Sequence, residues 1–167
     1  MKLLLFGQIG SGKSFVGERL QRDFGIHYHD ADDDLPVDMI AAVRAHQPIT
    51  EAMRDEFTEI IIARIGELAL RHTHFCLAQA LFKNRHRLRI LTRCPTVMPV
   101  WIRSTEALIR ARLLERTGHL ASAYYAEKIN PGFEAPTMPH QAIDNFGNDA
   151  ALRLQLQELV ERFGTDS

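Results

Sequence analysis

Lysine is scarce in this 167-residue chain: Lys2, Lys13, Lys83 and Lys128 are the only four among 20 basic residues, so 16 are arginine. Cysteine is scarcer still. Cys76 and Cys94 form no CxxC pair and no zinc spacing, and they are expected as buried, reduced thiols. Charge of one sign is also lacking. A net charge of −1 gives no general attraction for nucleic acid or anionic lipid, so any anion site must be local. No apolar run approaches the roughly 18 residues of a membrane span. The opening Met1–Phe6 is too short for a signal-peptide core and runs straight into a glycine loop. The expectation is a protein of a reducing, cytoplasmic compartment, without nucleic-acid or membrane partners.

The chain has 46% apolar and 25% charged residues, close to the soluble globular average. Its length suits a single domain, residues 1–167. Residues 2–6 read as a buried strand, followed by a helix from Lys13 to Phe24 that Gly25 ends. Phe15, Val16, Leu20 and Phe24 are expected on one face of that helix. Residues 26–29 read as a second strand, closed by the acidic cluster Asp30, Asp32, Asp33 and Asp34. Pro36 opens a helix to about Ala45, and Thr50 caps a long helix to Arg71. Residues 74–80 and 96–102 read as strands around a basic helix at 84–93, with Pro99 marking a bulge or an early end. Ser104 is expected to cap a helix over 104–115. Residues 116–139 read as a mobile, lid-like segment with a short helix. A strand at 140–144 and a helix from Asn148 to Arg162 complete the chain. Alternating strands and helices predict an α/β fold with a parallel sheet.

Gly7-Gln8-Ile9-Gly10-Ser11-Gly12-Lys13-Ser14 fits G-x-x-x-x-G-K-[ST] and lies between a strand and a helix, as that motif requires. Its inward N–H groups and the helix N-terminus can cradle phosphates. Lys13 adds charge at the β/γ-phosphates, and the Ser14 hydroxyl can hold Mg²⁺. A nucleotide switch would add N-K-x-D, which is absent. A motor ATPase would end its third strand in a carboxylate, and 74–80 has none. The carboxylates come after the second strand instead. Asp30 is expected on the metal side and Asp32 at the acceptor hydroxyl, to orient it or accept its proton. Asp33 and Asp34 are expected as solvated charges, and His27 and His29 as core or strand-end residues. Arg112 and Arg116 share a helix face four residues apart and, with His119, can close over the γ-phosphate. Arg54 can clamp a substrate anion.

These residues resemble the gluconate kinases, P-loop small-molecule kinases related to shikimate kinases. Asp30-x-Asp32 is similar to the family's D-G-D. Pro48-Ile49-Thr50 with Arg54 resembles its P-L-x-x-x-x-R. Ala80-Leu81 falls at its C-S-A-L-K, Arg112-x-x-x-Arg116-x-Gly118-His119 at its lid signature, and Phe133-Glu134-x-Pro136 at its L-E-x-P. The resemblance implies a P-loop NTPase fold with five parallel strands in the order 2-3-1-4-5 and a lid. It also implies MgATP-dependent phosphorylation of a hydroxyl on a small polyol or sugar acid, and a homodimer. The implied nucleotide contacts are Gly7, Gly10, Ser11, Gly12, Lys13, Ser14, Phe15, Arg112 and Arg116. Lys13, Asp32 and Arg116 are implied as catalytic, Ser14 and Asp30 as metal-side residues, and Asp32, Arg54, Lys83 and His119 as substrate contacts.

The departures fall mostly on the acceptor side. Leu35 stands where the family has His, and Ala78-Gln79 replaces C-S. Phe82 takes the Lys position, with Lys83 one step on. Arg85-His86 replaces Y-R, and Lys128-Ile129 replaces the S/T-Q pair. These changes remove groups that would read a sugar acid's hydroxyls. Two other readings stay open: a shikimate or nucleoside/nucleotide acceptor, and a nucleotide-binding protein without transferase activity.

Overall fold

The first strand, β1 (Lys2–Phe6), is buried on both faces. Side chains alternate along a strand, so Leu3 and Leu5 enter one core while Leu4 and Phe6 enter the other. The computed structural model describes residues 1–115 and 121–164. β1 is the centre of a five-stranded sheet with β2 (His27–Asp30), β3 (Phe75–Ala78), β4 (Met98–Arg103) and β5 (Gln141–Asp144), in the order β2-β3-β1-β4-β5. Every neighbouring pair is parallel, as expected.

Helices cover both faces. α1 (Lys13–Phe24) and α7 (Asp149–Phe163) pack Val16, Leu20, Leu152 and Leu156 over Leu3 and Leu5. Buried Arg19 of α1 pairs with Asp23 of its own helix, at 2.8 Å, and ties that helix to α7 through Asp149. On the other face, α3 (Glu51–Arg71) packs Phe57, Ile61, Ile65 and Leu68, and α4 (Asn84–Arg93) adds Ile90. Thr50 caps α3 by accepting the Met53 N–H at 3.2 Å. α2 (Val37–Arg44), α5 (Glu106–Glu115) and α6 (Ala123–Ile129) lie around the C-terminal ends of the strands.

Several sequence expectations need correction. β2 runs one residue later than expected, which makes Asp30 its last residue. β3 stops at Ala78, and the chain turns through Leu81 at a φ of 46°. β4 runs straight through Pro99, which is opposite Leu4. Pairing with β5 begins only at Val100, so at Pro99 the strand is still an edge, where a missing donor is tolerated. Thr105, not Ser104, caps α5, accepting the Leu108 N–H at 3.3 Å. Phe15 is 48% exposed rather than part of the α1 core face. Asp34 is not a solvated charge. Its side chain is 6% exposed and paired with Arg64 at 2.6 Å and His29 at 2.6 Å.

The described part of the lid-like segment is ordered into α6 and a 3₁₀ turn at Asn130–Gly132. A buried arginine anchors the chain beyond that turn. Arg87 of α4 is fully buried between the rings of Phe6 and Phe133, and donates to the Glu134 carbonyl at 2.6 Å. Burial lowers its pKa to about 10, so it stays charged at neutral pH. Cys76 is buried, with its thiol pushed up to about 12, and Cys94 is half-buried; both are free. Among the described residues no helix is long and apolar enough to cross a membrane.

Candidate functional site

The turn between β1 and α1 borders a cavity of about 390 Å³. Gly10, Gly12, Lys13, Ser14 and Phe15 line one end, and Asp30, Asp32 and Arg54 line the rest with a set of apolar side chains. Gly7 and Ser11 are buried beneath the turn. Gly12 has a φ of 94°, and a Cβ there would collide with the Asn145 side-chain amide. A larger residue would therefore be both strained and unable to pack.

Three side chains hold the turn from behind. Asn130 accepts the Ile9 N–H at 2.9 Å and donates to the Ile9 carbonyl at 2.9 Å. Asn145 donates to the Ser11 carbonyl at 2.9 Å. Arg112 donates to that same carbonyl at 3.2 Å, to Ser104 Oγ at 3.0 Å and to the Asn145 carbonyl at 2.8 Å. Arg112, expected as a nucleotide contact that closes as a lid, lines the cavity and is also tied to the loop's own backbone. Burial lowers its pKa. Arg116 and His119, the other lid expectations, lie outside the described residues.

Lys13 Nζ donates to the carbonyls of Gly7 at 3.2 Å and Gln8 at 2.9 Å, folding back over the loop it serves. Ser14 Oγ donates to Asp30 Oδ2 at 3.1 Å. Tyr28 donates to the same oxygen at 2.8 Å, and burial raises its phenol pKa, so it remains a donor at neutral pH. The other Asp30 oxygen accepts the Asp32 N–H at 3.1 Å, which fixes the start of the 3₁₀ turn over Ala31–Asp34. Asp32 is exposed at the cavity and accepts from Gln79 Nε2 at 3.0 Å.

Arg54, on the first turn of α3, has its guanidinium 5.9 Å from the Phe82 ring centre and 3.7 Å from Glu51. Lys83 is not brought to the cavity lining; its ammonium pairs with Glu134 at 3.3 Å. Glu134 also accepts the Asn84 N–H at 2.8 Å, and so caps α4.

The residues present fit a nucleotide triphosphate tail. A glycine turn, a helix N-terminus and a lysine converge, and Ser11 Oγ is buried without a hydrogen-bond partner among the described residues. They also fit Mg²⁺, which keeps several waters and takes only one or two protein oxygens beside phosphate. Ser14 Oγ and Asp30 are the oxygens the site offers for that. Among the described residues no group of three or more His, Cys, Asp or Glu is placed to hold a metal by itself.

The sequence pattern singles out the loop, the Asp30–Asp32 pair and Arg54. It does not single out Asn130, Asn145, Gln79 or Tyr28. Asn130, Asn145 and Gln79 act by contacts across the fold that nothing local marks, while Tyr28 reaches Asp30 two residues along its own strand.

The structure of a gluconokinase from Sinorhizobium meliloti 1021 superposes with a TM-score of 0.78, at 21% identity, covering 99% of this chain and 97% of that one. The chain has the fold of the P-loop small-molecule kinases. A sugar kinase from Janibacter sp. HTCC2649 superposes with a TM-score of 0.76 at 20% identity, covering 96% of this kinase-fold chain and 90% of that one. In sequence, the kinase-fold chain is 24% identical over 162 residues to a Xenopus tropicalis protein named "Probable gluconokinase", covering 86% of this chain and 83% of the relative. The resemblance to gluconokinases therefore extends over most of the chain. No family model matches.

Proposed function

We propose that this protein is an ATP-dependent small-molecule kinase, a phosphotransferase that moves the γ-phosphoryl of MgATP to an alcohol group, on the plan of the gluconokinases it resembles. The observation that carries the reading is the 3.1 Å contact between Ser14 Oγ and Asp30. It joins the phosphate loop to the carboxylate pair across one cavity.

The step is an in-line displacement. The acceptor oxygen bonds to the γ-phosphorus, the bond from that phosphorus to the β,γ-bridging oxygen breaks, and ADP leaves. Asp32 orients the acceptor hydroxyl and takes its proton. Lys13 leaves its carbonyl partners to neutralise the β/γ-phosphate oxygens. Arg116 is assigned to charge on the transferring group, with Arg112 holding the loop rigid beneath it. Mg²⁺, when bound through Ser14 and on the Asp30 side, supplies charge neutralisation between the β- and γ-phosphates. Tyr28 and Ser14 keep Asp30 oriented for that ion.

The test is acceptor-stimulated ADP release with MgATP across sugar acids, shikimate, nucleosides and simpler hydroxy acids. Turnover with at least one acceptor, abolished together with tight ATP binding in Lys13→Ala, is the expected result. ATP binding without transfer to any acceptor would leave a nucleotide-binding protein instead.

A further inference from the structure

The acceptor half of the cavity is walled by Leu35, Met39, Ile49, Phe57, Leu81 and Phe82. The polar side chains among them are largely committed to the protein itself. Thr58 Oγ1 donates to the Arg54 carbonyl at 2.7 Å. His86 Nε2 meets Asp55 at 3.1 Å, and burial lowers its imidazole pKa. Gln79 uses its amide nitrogen on Asp32 and its oxygen on the Ala80 N–H at 2.6 Å.

Among the described residues, Asp32, Arg54 and Tyr125 also line the cavity. Asp32 stands at the phosphoryl end. Arg54 stands on the wall, joined from α6 by Tyr125. Burial raises the Tyr125 phenol pKa while the Arg54 charge pulls against that rise, so the phenol stays a donor at neutral pH. Arg54 lies against the Phe82 ring, and such desolvation strengthens its hold on an anion.

We infer that the acceptor is a hydroxy acid with an apolar carbon skeleton: one hydroxyl at Asp32, a carboxylate at Arg54 and Tyr125, and hydrocarbon against Leu35, Met39, Phe57 and Phe82. This inference rests on the kinase reading and narrows its substrate class. A polyhydroxylated acid would bury several hydroxyls against hydrocarbon. Each such unpaired group weakens binding by roughly tenfold. A deoxygenated skeleton of the same length loses nothing and gains apolar contact.

The test compares acids with matched ends. Gluconate and 6-hydroxyhexanoate have the same carbon count, carboxylate and terminal hydroxyl, and differ only in the hydroxyls between. The ring acid 4-(hydroxymethyl)cyclohexanecarboxylate supplies a stiff apolar skeleton. Binding is measured calorimetrically with ADP present, and transfer by ADP release from MgATP.

The expected result is a preference of at least about tenfold for an apolar acid over gluconate, in affinity and in kcat/KM. Arg54→Met should abolish acid binding without changing ADP affinity, and Tyr125→Phe should weaken it several-fold. Phe82→Gln, which puts an amide on the apolar wall, should narrow the preference. A preference for gluconate, or no binding of any apolar acid, overturns the inference, and in the first case the kinase reading stands. Apolar acids that bind with the expected preference but receive no phosphoryl group support the pocket assignment and overturn the kinase reading.

Discussion

Asn130 and Ile9, 121 positions apart in the chain, exchange two hydrogen bonds: the Asn130 side chain accepts from the Ile9 N–H and donates to the Ile9 carbonyl, both at 2.9 Å. A second bridge runs from the Gln8 amide to the Asn130 carbonyl at 3.5 Å. The turn after α6 and the phosphate loop are therefore one unit. Asn130→Ala leaves both Ile9 groups unpaired in a half-buried place, a loss of about 1–3 kcal/mol. Nucleotide affinity is expected to fall about tenfold, read by ADP titration calorimetry. Asn130→Asp offers no rescue, because its second oxygen faces the Ile9 carbonyl. Unchanged affinity in both variants would remove Asn130 from the loop's support.

Asp32 is expected to act on the acceptor and not on the nucleotide. Asp32→Asn should lose at least about a hundredfold in turnover with ATP affinity retained, measured by ADP release and by equilibrium binding. Gln79→Ala, which lets Asp32 change rotamer, should lose less. An Asp32→Asn enzyme with normal turnover would eliminate the assigned role.

Gly17 makes room for Tyr28. A Cβ on Gly17 would overlap the Tyr28 ring, and moving the ring withdraws its hydroxyl from Asp30. Overpacking of this kind costs about 1–3 kcal/mol. Gly17→Ala should therefore lower Tm and raise, several-fold, the Mg²⁺ concentration needed for half-maximal turnover. Tyr28→Phe, which removes the hydroxyl without crowding, should reproduce the Mg²⁺ effect. A Mg²⁺ requirement unchanged in both would separate Tyr28 from the metal side.

Asp34 carries a pH-dependent share of the stability. Burial by itself would raise its pKa, but hydrogen bonds from Arg64 and His29 outweigh that and hold it below the ordinary value of 3.8. The unfolded carboxylate binds protons first as pH falls, so this stability is complete well above pH 3.8 and is lost as pH drops through the lower folded value. Asp34→Asn is expected to cost about 2 kcal/mol at pH 7, discounted for the partial exposure of Arg64. That is roughly 4–8 °C in Tm. The gap between the two proteins should shrink in melts run below about pH 4. A gap that does not vary with pH would contradict the pairing.

The sequence by itself determined the elements that local chemistry dictates. An apolar run ended by glycine makes β1. The spacing of glycines before Lys13 makes the phosphate loop, and Thr50 begins α3. Asp30 and Asp32 could be singled out because their distance from a strand end is a local matter. Tertiary structure alone decided which charges were spent on the fold. Asp34, Arg87 and Lys83 are as polar as Asp32 and Arg54. Yet a neighbouring arginine, two aromatic rings and Glu134 claim them through contacts between segments far apart in sequence. Burial and pairing depend on what the chain brings alongside a residue, and no local pattern records that.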